Sequence, residues 1–308
     1  MNAAVVICTR DRPALLEEAI DAARAASRPS DELVIVDSAS RDPDAIARVA
    51  ASADVPLVRC ATPGVSRARN AGAAATSAPL IAFTDDDCRP QPGWTTALDA
   101  AFTDPRTGLV TGRILPDRTG GRALSVLLDD QPRVLVANDD PATAGSGANM
   151  AFRRGAFDAV GGFDDEFGPG ARFRAAEDHD LFWRVLRAGW VGRYAPDAVV
   201  VHAQWRGLGA FLAANVGYGV GSGALAAKVA SVDAARGRAL LRAAFVDKGV
   251  RRALTHLRAG YELGALASLL TASGVVAGAA RAVRHRWSAM PSDQSVEGTD
   301  ELGGHVGP

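Results

Sequence analysis

Several residue types are scarce in this chain, and each scarcity narrows what the protein can be. The 308 residues contain three cysteines, Cys8, Cys60 and Cys88, with no CxxC or other metal-ligand spacing. A small, odd number of cysteines argues against a disulfide framework and fits a reducing compartment. Lysine is scarcer still, since Lys228 and Lys248 are the two lysines among 34 basic residues. Together with the many alanines this indicates a coding bias, so the arginine content is not by itself a sign of phosphate binding.

Features of other common protein classes are missing as well. The 34 basic and 35 acidic residues nearly cancel, which argues against nucleic acid as the main partner. The apolar run at residues 1–7 is too short for a signal peptide and has no basic lead, so we expect a cytoplasmic protein. The sequence has no P-loop, and its Gly-rich stretch at 217–221 lies far from the N-terminal strand–helix unit. A dehydrogenase or nucleotidyltransferase is therefore disfavoured.

Charge is unevenly spread along the chain, and this predicts three segments. Residues 1–205 hold 22 basic and 28 acidic groups, and residues 206–286 hold 12 and 3. Residues 287–308 hold four acidic groups and no Lys or Arg. An acidic region followed by a basic one suggests two different roles. We predict a main domain over 1–205, a basic, Gly/Ala-rich helical extension over 206–286 and a disordered tail over 287–308.

Two uncharged runs within the extension, residues 207–227 and 263–280, leave its role open. Both are weakly hydrophobic, which disfavours transmembrane helices although the second is near spanning length. The flanking arginines favour attachment to an anionic membrane surface, which here would be the inner face of the plasma membrane. A helical extension that simply packs on the main domain is an equally good interpretation.

The first half of the chain alternates strand and helix patterns. Four short apolar, β-branched runs predict buried strands, at residues 4–8, 33–36, 55–58 and 80–84. Between them, Pro13 and Pro43 stand where helices begin, Asp42 is a suitable N-cap, and residues 66–75 predict a third helix. This order predicts an α/β fold with a parallel sheet covered on both faces, and ligands of such sheets bind at the carboxyl ends of the strands.

Polar side chains follow three of these strands. Thr9 and Arg10 follow the first, Asp37 and Ser38 the second, and the acidic run 85–87 the fourth. Three adjacent carboxylates repel one another unless a cation neutralises them, and Mg²⁺ or Mn²⁺ prefers such oxygen ligands. An acidic run alone is often a solvated loop, but its place beside two other polar strand ends favours a metal site.

A second acidic group, residues 177–180, stands directly before an apolar helical stripe. Carboxylates at a helix start are stabilised by its free N–H groups, so capping alone explains them. The functional interpretation is a general base that takes a proton from an acceptor hydroxyl. His202, at the end of a later predicted strand, also has two interpretations: a local hydrogen bond, or a contact to metal or diphosphate.

Taken together, these segments resemble the family 2 glycosyltransferases, which have the GT-A fold. The resemblance covers about residues 4–205 in the right order, and the combination is far more specific than any single piece. The matching segments are 5–13, 34–40, 64–72, 83–87, 145–153, 161–164 and 177–183. The implied fold is α/β of GT-A type, with a mostly parallel nucleotide-binding sheet flanked by helices and a C-terminal helical extension.

The resemblance also implies roles for individual residues. Asp178 would be the catalytic base, and Glu177 would orient the acceptor or the base. The nucleotide-sugar-binding residues would be Thr9, Arg10, Asp37, Ser38, Arg69, Asn70, Asp85 and Asp86. The acceptor side would include Gly147, Asn149 and Met150. The ligands of a divalent metal, Mg or Mn, would be Asp87, Asp85 and His202.

The implied reaction moves a sugar from a nucleotide-sugar donor to an acceptor hydroxyl in one displacement with inversion. The metal would stabilise the leaving diphosphate. The acceptor would be a carbohydrate, lipid-linked or small molecule, in cell-surface polysaccharide, glycolipid or secondary-metabolite glycosylation. Ser38 stands where many relatives have a second acid, so UDP, GDP and dTDP sugars all remain open. The alternative is a non-catalytic nucleotide-sugar-binding protein that kept the fold, which the retained acidic groups disfavour.

Overall fold

The computed structural model describes residues 1–118, 123–285 and 287. Its strands are β1 (Ala3–Thr9), β2 (Glu32–Ser38), β3 (Leu57–Cys60), β4 (Leu80–Asp85), β5 (Cys88–Pro90), β6 (Thr107–Pro116), β7 (Arg133–Leu135), β8 (Asn149–Arg153) and β9 (Val191–His202). Its α-helices are α1 (Pro13–Ala26), α2 (Pro43–Ser52), α3 (Val65–Ala74), α4 (Trp94–Ala100), α5 (Arg154–Ala159), α6 (Glu177–Arg187), α7 (Leu208–Ala230), α8 (Ala234–Arg242), α9 (Arg252–Arg258) and α10 (Glu262–Ala282). A π-helix over Ala243–Arg251 joins α8 to α9, and a 3-10 turn covers Pro141–Thr143.

The N-terminal half folds as the alternating pattern predicts. Strands β3, β2, β1 and β4 are parallel neighbours in that order, so that Val6 on β1 lies between Val34 and Phe83. All of β1 is buried, as expected for a strand flanked on both sides and covered on both faces. Asp42 caps α2 as predicted, since its carboxylate accepts the Ala45 N–H at 3.0 Å.

The sheet becomes mixed beyond β4. Strand β8 inserts antiparallel between β4 and β6, and β9 then pairs parallel to β6 and antiparallel to β5 and β7. The described strands therefore make four parallel and four antiparallel pairings, because the later connections are mostly not the helical crossovers that parallel pairs require. Strand β8 begins at Asn149, whose N–H closes a turn onto the Ser146 carbonyl at 3.0 Å.

Two apolar layers enclose the sheet. One contains Trp94, which is fully buried and donates its indole N–H to Asn149 at 2.8 Å. The other is a cluster of phenylalanine rings in which Phe83 on β4 packs edge-on against Phe163 with centroids 5.3 Å apart. Aromatic burial of this kind contributes about 0.5–1.5 kcal/mol per ring pair beyond the area term.

The extension is a helical layer built on the α7–α10 pair. Gly223 and Gly278 lie where the two backbones touch, so a side chain at either position would meet the carbonyl of Val275 or Val220. Small residues thus explain the weak hydrophobicity of these runs, because they let helices approach closely. By length and composition alone α7 and α10 could also cross a membrane, although about half of each apolar window is buried inside the protein.

The predicted tail is described at one position only. Trp287 packs on the main domain, with its ring centroid 5.7 Å from that of Phe167. Residues 288–308 lie outside the described residues, so the predicted disorder there stays a prediction, as do the boundaries of the three segments.

Candidate active site

The acidic run at the end of β4 is neutralised by arginines. Asp85 pairs with Arg69 at 2.7 Å, whereas Asp86 and Asp87 share the guanidinium of Arg12 at 2.9 and 3.0 Å. Burial raises the pKa of Asp86 to about 7 against the opposing charge of Arg12. The expected mutual repulsion of these carboxylates is thus relieved by two fixed cations. Sequence reasoning missed Arg12, whose local pattern indicates only the start of a helix.

Asp87 lies in a buried pocket of hydrogen-bond donors. One carboxylate oxygen is 3.4 Å from His202 Nε2, and the other accepts the Trp205 indole N–H at 2.8 Å. Burial would raise the pKa of Asp87, but His202 and then Arg12 and Trp205 hold it well below its usual range. The guanidinium carbons of Arg12 and Arg206 lie 5.2 and 4.8 Å from the centroid of the Trp205 ring. This tryptophan therefore lines the pocket around Asp87.

The donor set at this point suits a divalent cation. Ligand atoms of Asp87, Cys88 and His202 lie within 4.8 Å of one another. Burial raises the pKa of the Cys88 thiol, which makes it a poor ligand for a hard ion. Asp87 and His202 therefore fit Mg²⁺ or Mn²⁺ in type. Asp85 is not part of this cluster, since its carboxylate is paired with Arg69.

The other predicted nucleotide-binding residues lie at the strand ends and differ in burial and in hydrogen bonding. Thr9 is buried and donates to Asp86 at 2.7 Å, and Asp37 is buried and accepts the Ser40 N–H at 3.0 Å. Arg10 is exposed, as a residue reaching for a ligand would be. Ser38 is committed elsewhere, because its hydroxyl accepts the Gly64 N–H at 3.1 Å and donates to the same residue's carbonyl.

Arg69 connects the end of β4 with the start of α6. It is buried on α3, and its guanidinium reaches Asp85 at 2.7 Å, Glu177 at 3.0 Å and the Gly147 carbonyl at 3.3 Å. Helix α3 lies close enough for this because Gly72 sits against β1 and β2, where a side chain would collide with valine methyls. These carboxylates raise the pKa of Arg69 against the effect of burial, so it stays charged.

The Glu177-Asp178 pair begins α6 and faces the cleft. Ala176 just before it has φ of 66°, a left-handed turn that sets the direction of the helix start. The Asp178 carboxylate accepts N–H groups from Gly147 at 2.7 Å and His179 at 2.8 Å. Burial and the charge of Asp178 raise the pKa of Glu177 to about 7, with Arg69 opposing.

Six of the predicted site residues line the cleft: Arg69, Asp85, Gly147, Glu177, Asp178 and His202. Among those that do not, three have side chains that pack inside the protein. Asn149 is fully buried, and its amide bonds Trp94 and the carbonyls of Arg113 and Ala198. Met150 is fully buried in the phenylalanine layer. Both belong to β8, which has a neighbouring strand on each side and an apolar layer on each face. Side chains that point to either face are therefore buried. Gly147, two residues earlier, does line the cleft.

Asn70 is the third. Its amide donates to the Phe163 carbonyl at 2.9 Å, and its oxygen accepts the Phe163 N–H at the same distance. These paired bonds hold the glycine turn before Phe163 against α3. The side chain is thus used for packing the loop that precedes α6.

The cleft itself lies between the main domain and the extension and has a volume of about 570 Å³. The main domain lines it with Asp85, Arg69, Gly147, Glu177, Asp178, His179 and His202. The extension lines it with Arg206, Asn215, Tyr218, Ser222, Lys248, Arg252, His256, Tyr261, Ser268 and Thr271. Sequence reasoning missed this second group, although Lys248, Arg252 and His256 recur at helical spacing, which indicates one helix face.

Known sequences share these features. Residues 4–161 match the profile of Glycosyl transferase family 2. A pre-mycofactocin glycosyltransferase of Mycobacterium tuberculosis is 32% identical over 228 residues, 72% of this chain and 46% of that protein. An N-acetylglucosaminyl-diphospho-decaprenol L-rhamnosyltransferase of the same species is 44% identical over 57 residues, 18% of this chain and 17% of that protein. The chain thus spans about half the length of the first of these relatives.

Solved structures share the fold. A mannosyltransferase of Pyrobaculum calidifontis, PcManGT, determined with GDP-Man and Mn²⁺, superposes with a TM-score of 0.61 at 20% identity. The match covers 90% of this chain and 86% of that one, so it includes part of the extension. The GT-A type architecture expected from the sequence is confirmed. Since the family profile covers just over half of the chain and the motif residues converge on one cleft, this chain belongs to glycosyl transferase family 2.

Proposed function

We propose that this protein is a glycosyltransferase that moves a sugar from a nucleotide-sugar donor to an acceptor hydroxyl with inversion. The observation that carries the proposal is the convergence of three groups on one cleft. The acidic end of β4, the Arg69 bridge and the Glu177-Asp178 pair all border it. The donor would lie at the strand ends and the acceptor beside Gly147.

In this proposal Asp178 is the general base. Its carboxylate borders the cleft and is held in one orientation by the backbone N–H groups of Gly147 and His179. Arg69 would hold Glu177 at a fixed distance from Asp178 and compensate its charge. General base catalysis of this kind contributes about 10²- to 10⁴-fold in rate.

A divalent metal, Mg or Mn, would be held by Asp87 and His202, with Asp85 on the cleft side. When bound, it would supply positive charge to the leaving diphosphate. Thr9, Arg12 and Trp205 would keep the Asp86-Asp87 carboxylates in place, and Arg206 would add charge beside the phosphates. Arg10 and Asp37 would border the nucleotide.

The alternative is a nucleotide-sugar-binding protein without activity, and a binding screen followed by a turnover assay separates the two. Thermal unfolding is measured with UDP, GDP and dTDP sugars, with and without Mn²⁺. We expect one donor class to stabilise the protein only with metal, by about 2.7 kcal/mol at a hundredfold excess over Kd. Asp87→Asn should abolish this stabilisation, while Asp104→Asn, an exposed acid outside the cleft, should not.

Turnover then decides the class. Slow hydrolysis or transfer of the stabilising donor would support the enzyme, and binding without any turnover would support the alternative. If no nucleotide sugar raises the unfolding temperature with metal, the donor-binding proposal fails.

We also propose that the extension contacts an anionic membrane surface. Leu254 and Leu257 on α9 and Leu266 and Leu269 on α10 are about half exposed, and the segment 206–286 is strongly basic. Exposed apolar side chains among arginines are typical of helices that lie on lipid headgroups.

A further inference from the structure

The extension presents a row of basic side chains to the cleft. Lys248 on the π-helix and Arg252 and His256 on α9 line it, four residues apart. Lys248 and Arg252 are exposed at the mouth, and His256 is half-buried further along. With Arg206 they make one wall of the cleft basic.

Lys248 and Arg252 are held weakly, whereas His256 has a 3.4 Å contact with the Ser268 hydroxyl. Lys248 pairs with Asp140 at the long distance of 3.4 Å, and both side chains are solvent-accessible, so the pair is worth little. Arg252 has no ion-pair or hydrogen-bond partner within the described ranges. Tyr261, which borders the same wall, has a buried hydroxyl that lacks a hydrogen-bond partner among those residues. This hydroxyl is therefore able to hydrogen-bond a group that enters the cleft.

The main domain borders the same cleft with acidic side chains. Asp85, Glu177 and Asp178 border the cleft from the main domain. Tyr218 of α7 stands between the two sides: burial raises its pKa, Ser125 and Arg206 lower it, and Asp178 and Glu177 raise it further. A ligand in the cleft can therefore reach a carboxylate of the main domain and the basic side chains of the extension.

We propose that the basic row of Lys248, Arg252 and His256 binds a phosphate group of the acceptor, whose hydroxyl lies at Asp178. This rests on the proposed glycosyl transfer and names its acceptor class: a hydroxylated molecule that carries a phosphate mono- or diester. Phosphate presents several acceptor oxygens, and donors one helical turn apart on a single face can bond different ones. The donor's own diphosphate belongs at the other edge, beside Asp87.

Direct binding tests this without requiring turnover. Calorimetric titration in EDTA uses three probes: octyl glucoside, glucose 1-phosphate and glucosyl farnesyl diphosphate. EDTA removes the divalent metal, so that phosphate cannot bind through a metal at the acidic end of β4. We expect the phosphorylated probes to bind at least tenfold more tightly than octyl glucoside, in a salt-sensitive manner. Binding of both indicates that the phosphate suffices, and binding of the farnesyl probe alone indicates a lipid-linked acceptor.

A matched pair of variants identifies the wall. Arg252→Gln should weaken binding of the phosphorylated probes about tenfold, the loss typical of one charge-assisted hydrogen bond. Arg258→Gln, on the same helix but outside the cleft lining, should bind like the wild type. Equal binding of neutral and phosphorylated probes, or wild-type binding by Arg252→Gln, would overturn the inference. Donor hydrolysis by the wild type distinguishes this failure from failure of the proposed function. If the donor is hydrolysed, only the acceptor inference fails, and if it is not, the proposed glycosyl transfer is in doubt.

Discussion

The main domain and the extension carry charge in opposite ways. In the main domain the acids that border the site are buried or nearly so, and arginines meet them at short distances, as Arg12 meets Asp86 and Asp87. In the extension the cations at the cleft, Lys248 and Arg252, are both exposed, and Lys248 has one loose ion pair with Asp140. Buried ion pairs hold one geometry because breaking them is costly, whereas exposed charges rearrange freely. The contrast fits a rigid wall for chemistry and an adaptable wall for substrate recognition.

One cation of the extension is buried and paired at short distance, as the charges of the main domain are. Lys228 on α7 reaches Asp180 of α6 at 2.6 Å and Asp164 at 2.7 Å. Asp180 also receives Arg184 at 2.8 Å. This network ties the extension to the helix that begins with Glu177 and Asp178, so the two regions meet behind the proposed base.

The largest effect should come from the rigid wall. Asp178→Asn keeps the shape but removes the proton acceptor, and we expect kcat to fall about 10²- to 10⁴-fold. Metal-dependent binding of the donor should stay nearly unchanged, as measured by thermal shift. Asp165→Asn, a half-exposed acid on the loop before α6, is the control. Full transfer by Asp178→Asn would refute Asp178 as base.

Lys228→Met should break the junction between the regions. Removing one partner of a buried ionic network leaves Asp180 and Asp164 with less compensation, which costs about 3–5 kcal/mol of unfolding free energy. Chemical denaturation measures this, with Lys248→Met as the exposed lysine for comparison, for which we expect less than about 1 kcal/mol. Similar unfolding curves for both variants would show that the buried network is not what joins the regions.

The pH dependence of stability should sharpen the contrast at Glu177. Its pKa is raised in the folded state to about 7, from its ordinary value of 4.5. The folded protein therefore binds more protons than the unfolded chain between these values, and stability falls as pH rises from about 5 to 7. In EDTA, Glu177→Gln should show a smaller fall, with Asp86 contributing the remainder. An unchanged pH slope in this variant would contradict the raised pKa.

The smallest effect should come from the outer face of the extension. Leu254→Ser combined with Leu257→Ser should weaken binding to vesicles that contain anionic phospholipid several-fold, since both side chains are half-exposed and lose only part of their apolar contact with the lipid. Leu128→Ser, an equally exposed leucine of the main domain, is the matched control. Vesicle binding that is equal in all three proteins would argue against the membrane proposal.

Local pattern was sufficient for the parallel half of the fold. Strand runs, the proline helix starts and the Asp42 cap depend on neighbours in sequence, and the structure confirms them. The later sheet was not predictable in the same way. The antiparallel insertion of β8 depends on pairing with β4 and β6, whose partners are distant in sequence.

The site residues also fall into those that local sequence identifies and those that only tertiary contacts identify. The acidic run and the Glu177-Asp178 pair could be found because the chemistry needs those residue types beside strand and helix ends. Which cation each acid meets could not, because Arg12 and Arg69 reach them only after α1 and α3 pack on the sheet. Asn70 and Asn149 have the polarity of site residues, yet their amides satisfy buried backbone groups instead.

By itself, the sequence determined the family, the order of the N-terminal strands and the acids of the cleft, because each is encoded in short segments with local physical meaning. Tertiary structure alone decided how those acids are neutralised, which polar residues face a ligand and what covers the acceptor side. These properties depend on distances between groups that lie far apart in the chain. In the acidic run, Asp85 pairs with Arg69, and Asp86 and Asp87 pair with Arg12. The basic side chains of α9 line the cleft from the extension.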